Sequence, residues 1–354
     1  MWKYLYLTTL LLSSVMACAK LELKSDRSKA DGRAGNDSGN NTPGSIDSFD
    51  SEGKGTSPSG SQADPNIAPV TPKGSLGRMV VIADSIGTGL LADTNLTTGE
   101  ESVRYVLREY GNKITSLLSD LTKEKEPSKG DLKSFYLPGS SGYASTEVDW
   151  SFPRELEKLG YSFDEVVNKS EAGLTAYSGK GFVDKIEAEE ASSYDTVFVA
   201  LGHNDVCGEA SVEDLLNNYR AFLEVSLEKF SQARFVVTLP ANISGIMDHD
   251  LTIPVDIPLI GFDISCSSVR RAYCPAMAGT IASVNNKVTA LREGIQNLSQ
   301  ELLSERGVSV LSSLEKDQIE ATDLSIDCFH PSEEGQKKIA KVLAEEFSRN
   351  PPEL

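Results

Sequence analysis

The sequence is short of the residues that most often hold metals and of positive charge. It has three histidines and five cysteines in 354 residues, and 34 Lys and Arg against 52 Asp and Glu, a formal net charge of -18. Such an acidic balance argues against nucleic acid or any other polyanion as a partner. The cysteine spacing matches no zinc pattern. His203 and His249, with Asp205, Asp248 and Asp250 nearby, have no metal-ligand spacing either, so neither a metal nor a cofactor is expected. Long apolar runs are missing too. The longest lies in residues 1–17, "MWKYLYLTTLLLSSVMA", and is too short for a comfortable membrane span. Residues 19–77 hold almost no large apolar side chains. Stretches such as "DGRAGNDSGNNTPGS" cannot bury enough surface to offset the entropy of ordering them.

What is present divides the chain into three parts. Residues 1–17 read as a signal peptide, with Lys3 ahead of an apolar core. Residues 18–77 read as a flexible tether, spanning roughly 40 Å root-mean-square. Residues 78–354 are long enough to bury one large core. At the first boundary, Val15-Met16-Ala17-Cys18 resembles the lipobox of bacterial lipoproteins. That resemblance implies acylation of Cys18 and anchoring in the outer membrane or at the cell surface. Plain secretion, or release into the periplasm, is the alternative.

Within the last part, Met79–Ala83, Thr196–Leu201, Arg234–Leu239 and Val308–Leu311 have the length and β-branched content of buried parallel strands, with a weaker candidate at Glu165–Asn168. Gly181–Ala191, Val212–Phe230, Ala278–Arg306 and Glu333–Phe347 read as helices, and a further helix is expected near Glu101–Leu121. The alternation predicts an α/β fold, a mostly parallel sheet covered on both faces. Two excursions, 92–159 and 242–275, interrupt it. In the second, "IPVDIPLIGF" is either core packing or the wall of an apolar pocket.

The predicted strand ends carry the chemistry. The first ends on Asp84-Ser85, the weaker strand leads to Gly173, the next ends in "GHNDVC" with Asn204, and "DCFHPSEEGQ" supplies Asp327 and His330. Ser85 alone reads as a helix cap. Taken with the others, it reads as a nucleophile whose proton goes to His330, with Asp327 fixing the imidazole tautomer. Ser85 N–H, Gly173 N–H and the Asn204 amide are the candidate oxyanion donors, with Gly179 as a substitute for Gly173. Pro331 restricts His330, and Ser332 is the expected cap of the last helix.

These four blocks resemble the SGNH, or GDSL, hydrolase superfamily, with Ser85, Gly173, Asn204 and His330 in the family's order. The first block departs from it, having Ala83 where the family has glycine. "GHNDVC" and "DCFHPSEEGQ" look closest to the phospholipase B and acyloxyacyl hydrolase branch. The resemblance implies a three-layer α/β/α sandwich of flavodoxin-like type and an exported serine esterase or lipase, with a lipid or lysophospholipid ester favoured as substrate. A cell-envelope carbohydrate O-acetylesterase and a non-catalytic surface-binding lipoprotein are the alternatives. Export would permit disulfides, and the short spacing of Cys266 and Cys274 makes them the first expected pair, with Cys207–Cys328 the second.

Overall fold

The computed structural model describes residues 73–89, 92, 97, 142–145, 148–257 and 260–351. The expected signal peptide, Cys18, the tether as far as residue 72 and the helix near 101–121 lie outside the described residues. The tether's expected end at 77 is corrected, because Gly74–Ser75 pair in parallel with Tyr161–Ser162 and Leu76 is buried in the core.

In chain order, β1 (Gly74–Ser75) and β2 (Arg78–Ala83) lead into a one-turn helix, α1 (Ser85–Thr88). Then come α2 (Phe152–Lys158), β3 (Tyr161–Ser162), β4 (Glu165–Asn168), α3 (Ala176–Asp184), α4 (Ala188–Ala191) and β5 (Thr196–Ala200). They are followed by α5 (His203–Cys207), α6 (Val212–Lys229), β6 (Arg234–Thr238), a hairpin of β7 (Thr252–Ile257) and β8 (Ile260–Ser265), and α7 (Cys266–Tyr273). The chain closes with α8 (Ile281–Leu303), β9 (Val308–Leu311) and α9 (Glu333–Arg349).

The five strands expected from the sequence form one sheet in the order β4-β2-β5-β6-β9, and every pairing in it is parallel. The three central strands are almost wholly buried, as runs like "MVVIA" and "TVFVA" require once both faces are covered. Each Val, Ile, Phe or Met among these contributes roughly 1.5–3 kcal/mol on burial. From β2 the chain crosses outward to β4, then turns back to β5, β6 and β9. With right-handed crossovers, this reversal puts α2 on one face and α3, α6 and α8 on the other. Phe152 of α2 lies against Phe198 of β5 and Phe347 of α9, which places α9 with α2. The result is the expected three-layer sandwich. Among the described residues, no helix is long and apolar enough to cross a membrane.

Three local expectations change. The helix expected over 181–191 starts earlier and is broken. Thr175 caps α3 in a box with Ser178, and Lys185 ends it before α4. Gly179, the substitute for Gly173, lies buried inside α3, where a Cβ would stand 3.0 Å from Phe222. It is a helix-packing glycine, set against the side chains of Phe222 and Leu201, and makes no strand-end turn. The expected Cys266–Cys274 and Cys207–Cys328 pairs are also replaced. Cys207 joins Cys274 and Cys266 joins Cys328, with Cα–Cα distances of 4.3 and 5.4 Å. The reason is the helix between them. Cys266 opens α7 and Cys274 caps its far end. Eight residues of helix hold them about 12 Å apart, well beyond the ~7 Å a disulfide can bridge.

Candidate active site

The reversal in strand order puts β2 between β4 and β5, and ligands in open α/β sheets bind beyond the carboxyl ends of strands at such a point. Ala83 is the last ladder residue of β2 and pairs with Ala200 of β5. Beyond it, Asp84, not Ser85, is the helix cap: its Oδ1 accepts from Ile86 N at 3.0 Å. Ser85 is therefore free of the capping duty and occupies the first turn of α1, 5% exposed. Gly89, at φ +73°, ends the turn in the left-handed region.

The departure at Ala83 has a local counterpart. A Cβ on Gly87 would lie 2.3 Å from the Ala83 methyl, so the glycine one turn on makes room for it. The other side of α1 is held by backbone and by one buried amide. Gly142 lies so close to Gly87 O that a Cβ there would overlap it. Gln336 of α9 accepts from Tyr143 N at 2.8 Å and donates to Ile86 O at 2.9 Å. Gln336 was missed in the sequence. Its signal is a polar residue on the buried stripe with Ile339, Ala340 and Leu343.

Asp327 and His330 come from the loop between β9 and α9. Leu324 bridges Pro331, and Ser325 N donates to His330 O at 2.8 Å, closing a compact turn. Cys328, at φ +61°, is the sole non-glycine residue with positive φ among the described residues. That left-handed step costs on the order of 1–2 kcal/mol, and the Cys266 disulfide fastens it. It folds the turn around the Asp327 carboxylate. Oδ1 accepts from Ser325 Oγ at 2.6 Å and from the N–H groups of Phe329 and His330 at 3.0 and 2.9 Å. Oδ2 lies 2.6 Å from His330 Nδ1. Ser332 caps α9 as expected, accepting from Gly335 N.

Burial pushes the Asp327 carboxyl up. The His330 charge and the hydrogen bonds outweigh it and hold the group below the usual carboxylate range. An ionised Asp327 accepts the Nδ1 proton, which leaves the Nε2 lone pair facing outward. His330 Nε2 lies 3.0 Å from Ser85 Oγ. Residues 245 apart in sequence thus meet in a hydroxyl-to-imidazole contact, with the imidazole oriented by a carboxylate, the arrangement that a serine nucleophile and its base would need.

The other two blocks flank Ser85. Gly173, at φ +78°, turns the chain after β4, in a backbone region that favours glycine. Asn204 Nδ2 donates to Leu174 O at 3.0 Å, so Asn204 reaches the Gly173 loop. Asp205 grips the same loop, taking Ala176 N on both oxygens at 3.1 Å, and its burial raises the carboxyl to about 6. His203 and His249 are committed elsewhere. The former lies against Asp84, and His249 Nε2 donates to Ile319 O at 2.7 Å. Asp250 accepts from Ser267 N and Arg270, while Asp248 faces Lys316.

The model of the family described as GDSL-like Lipase/Acylhydrolase matches residues 153–343, just over half of the sequence. The chain belongs to the GDSL-like lipase/acylhydrolase family. It is accordingly a serine hydrolase of carboxylic esters. The GDSL match covers Gly173, Asn204, Asp327 and His330, while Ser85 precedes it and joins them through the contact to His330. No curated protein matches the sequence. Solved structures that resemble this GDSL chain include a carbohydrate esterase family 2 enzyme with a carbohydrate-binding domain from Corynascus thermopiles (14% identity, 80% of this chain and 68% of that one, TM-score 0.43). A family two carbohydrate esterase from Cellvibrio japonicus matches at 15% identity (80% and 62%, TM-score 0.41). A lipase/acylhydrolase from Enterococcus faecalis matches at 16% (78% and 98%, TM-score 0.40).

Proposed function

We propose that this chain is an exported, lipid-anchored esterase or lipase that works through Ser85, His330 and Asp327. The observation that carries the reading is the continuous line from Ser85 Oγ to His330 Nε2 at 3.0 Å and from His330 Nδ1 to Asp327 at 2.6 Å, in a buried setting. Ser85 Oγ attacks the ester carbonyl as Nε2 takes its proton, and Asp327 stabilises the imidazolium that forms. The oxyanion is met by Ser85 N–H, Gly173 N–H and the Asn204 amide. Only one of the two amide hydrogens of Asn204 is needed for Leu174 O. The alkoxy group then leaves with the proton from His330, and an acyl-Ser85 ester remains. Water, deprotonated by the same imidazole, attacks the acyl carbon. The acid departs and Ser85 regains its proton.

The substrate favoured is a lipid or lysophospholipid ester, on the resemblance of "GHNDVC" and "DCFHPSEEGQ" to the phospholipase B branch. Export is supported by the two disulfides, which an oxidising compartment would maintain. Anchoring rests on the lipobox resemblance at Cys18.

The test is an ester panel on the full-length protein: chromogenic esters of graded chain length, lysophospholipids and acetylated glycans. Ser85→Ala and His330→Ala should each abolish turnover, and the double variant should be little worse than either, since the two groups serve one step. Asn204→Ala should lose about 10²–10³-fold in kcat. Near-native turnover in Ser85→Ala, or activity lost to EDTA, would refute the mechanism. Preference for acetylated glycans would overturn the substrate class, and membrane retention of Cys18→Ser would overturn the anchor.

A further inference from the structure

His203 takes no part in the line from Ser85 to Asp327, yet it is 3% exposed and bonded through both ring nitrogens. Nδ1 lies 3.0 Å from Asp84 Oδ2, and Nε2 accepts from Ala241 N at 2.9 Å. A backbone N–H can only donate, so Nε2 must carry the lone pair. The ring proton then sits on Nδ1 and is donated to Asp84. The ring is held neutral and in one tautomer by its neighbours.

The connections of Asp84 give this contact its meaning. Its other oxygen caps the turn that presents Ser85. Asp84 follows β2, His203 follows β5 and Ala241 follows β6, so the imidazole ties three adjacent strand ends along one line. The next two residues continue the line in the other direction, where Asn204 and Asp205 hold Leu174 and Ala176 beyond β4. One short segment, His203 to Asp205, therefore fastens the nucleophile turn to the loop that carries Gly173. The carboxylates of Asp84 and Asp205 are the charged groups that act on the ring.

Building on the Ser85 mechanism above, we infer that His203 is a positioning residue: by donating to Asp84 it fixes the turn that sets Ser85 Oγ at hydrogen-bond distance from His330. The bond to Ala241 serves only to select the tautomer. The two roles can be separated by two substitutions. In His203→Asn the side-chain amide replaces Nδ1 and keeps the bond to Asp84, but gives up Ala241. In His203→Gln the side-chain carbonyl replaces Nε2 and keeps Ala241, but gives up Asp84.

The experiment measures kcat and KM of both variants on one chromogenic ester, in full-length protein whose folded fraction is checked by denaturant titration. His203→Gln should lose roughly 10–100-fold in kcat with little change in KM, the scale of a misplacement of up to about 1 Å in a reacting group. His203→Asn should recover most of that loss. Native-like kcat in His203→Gln, equal losses in both variants, or losses that merely track the folded fraction would overturn the inference. Imidazole nitrogen NMR of the unmutated protein gives a reading that needs no variant. A neutral ring protonated at Nδ1 is expected, and a ring protonated at Nε2 or doubly protonated at neutral pH would overturn it. Ser85→Ala in the same assay sets the background. Activity surviving there refutes the Ser85 mechanism itself, whereas a failure confined to His203 refutes only its positioning role.

Discussion

Gly87→Ala should damage the turn that carries Ser85, and Ala83→Gly should repair it. The added Cβ would sit 2.3 Å from the Ala83 methyl, far inside contact distance, whereas its next neighbours, Ala144 Cβ and Ser170 Oγ, stand at an ordinary 3.7 Å. The clash thus has a single source. Ala83 belongs to the buried ladder of β2 and cannot move without disturbing its pairing with Ala200. Overpacking of this kind costs about 1–3 kcal/mol. Ala83→Gly alone should cost roughly 0.5–1 kcal/mol, the usual effect of glycine in a strand. In the double variant the clash is gone, and alanine in a helical turn regains up to ~1 kcal/mol over glycine. The double variant should then be about as stable as the parent, with a coupling energy of about 1–3 kcal/mol in a double-mutant cycle. Urea unfolding measures the cycle, and kcat on a chromogenic ester follows it if the strain displaces Ser85. Additive losses, or a Gly87→Ala protein as stable as the parent, would show that Ala83 and Gly87 are not matched.

Two other expectations rest on buried groups. Peptide mapping under non-reducing conditions should recover Cys207–Cys274 and Cys266–Cys328, and replacing either pair with serine should cost about 4 kcal/mol by loop entropy, each bond closing a loop of more than 60 residues; a recovered Cys266–Cys274 peptide would contradict the fold around α7. Asp205 has a folded pKa of about 6, above its unfolded value of about 3.9, so the folded state binds its proton more tightly. Its stabilising contribution is full below the unfolded value and is lost as pH rises through 6. Asp205→Asn should therefore gain on the parent by about 2–3 kcal/mol between pH 4 and pH 7, and a stability difference flat across that window would refute the assignment.

The parts of the fold that were legible in the sequence are those whose burial is continuous. β2, β5 and β6 are apolar runs because both faces of the sheet are covered, and that pattern needs no partner to be read. The hairpin of β7 and β8 was not legible. Pro254 and Pro258 interrupt its sequence, and a two-stranded ribbon tolerates proline because it is all edge. α2 is only seven residues long, too short for a helical period to show. Ser85 and His330 could be found from neighbouring sequence, since each carries a local block. The links between blocks could not: Asp84 to His203, Gln336 to Ile86, and both disulfides join residues that only the fold brings together.

The means of holding each block of the candidate site follows from its distance to the sheet. Ser85 is two residues beyond the last ladder pair of β2, so the sheet itself nearly places it, and one cap completes the task. Asn204 is four residues past Ala200 and needs its own anchors, which are Leu174 and Cys207. Asp327 and His330 come after a long irregular segment beyond Leu311, where no ladder constrains the chain. Ordering such a segment costs about 1–2 kcal/mol per residue in backbone entropy. A short turn held by the hydrogen bonds to Asp327 is one answer, and the Cys328 bond to Cys266 is the other. α7 carries both cystines, one at each end, so a single rigid helix braces the Asn204 side of the site against the His330 side. The second excursion, far from being an insertion in the sandwich, is what spans the two blocks of the candidate site that the sheet cannot place alone.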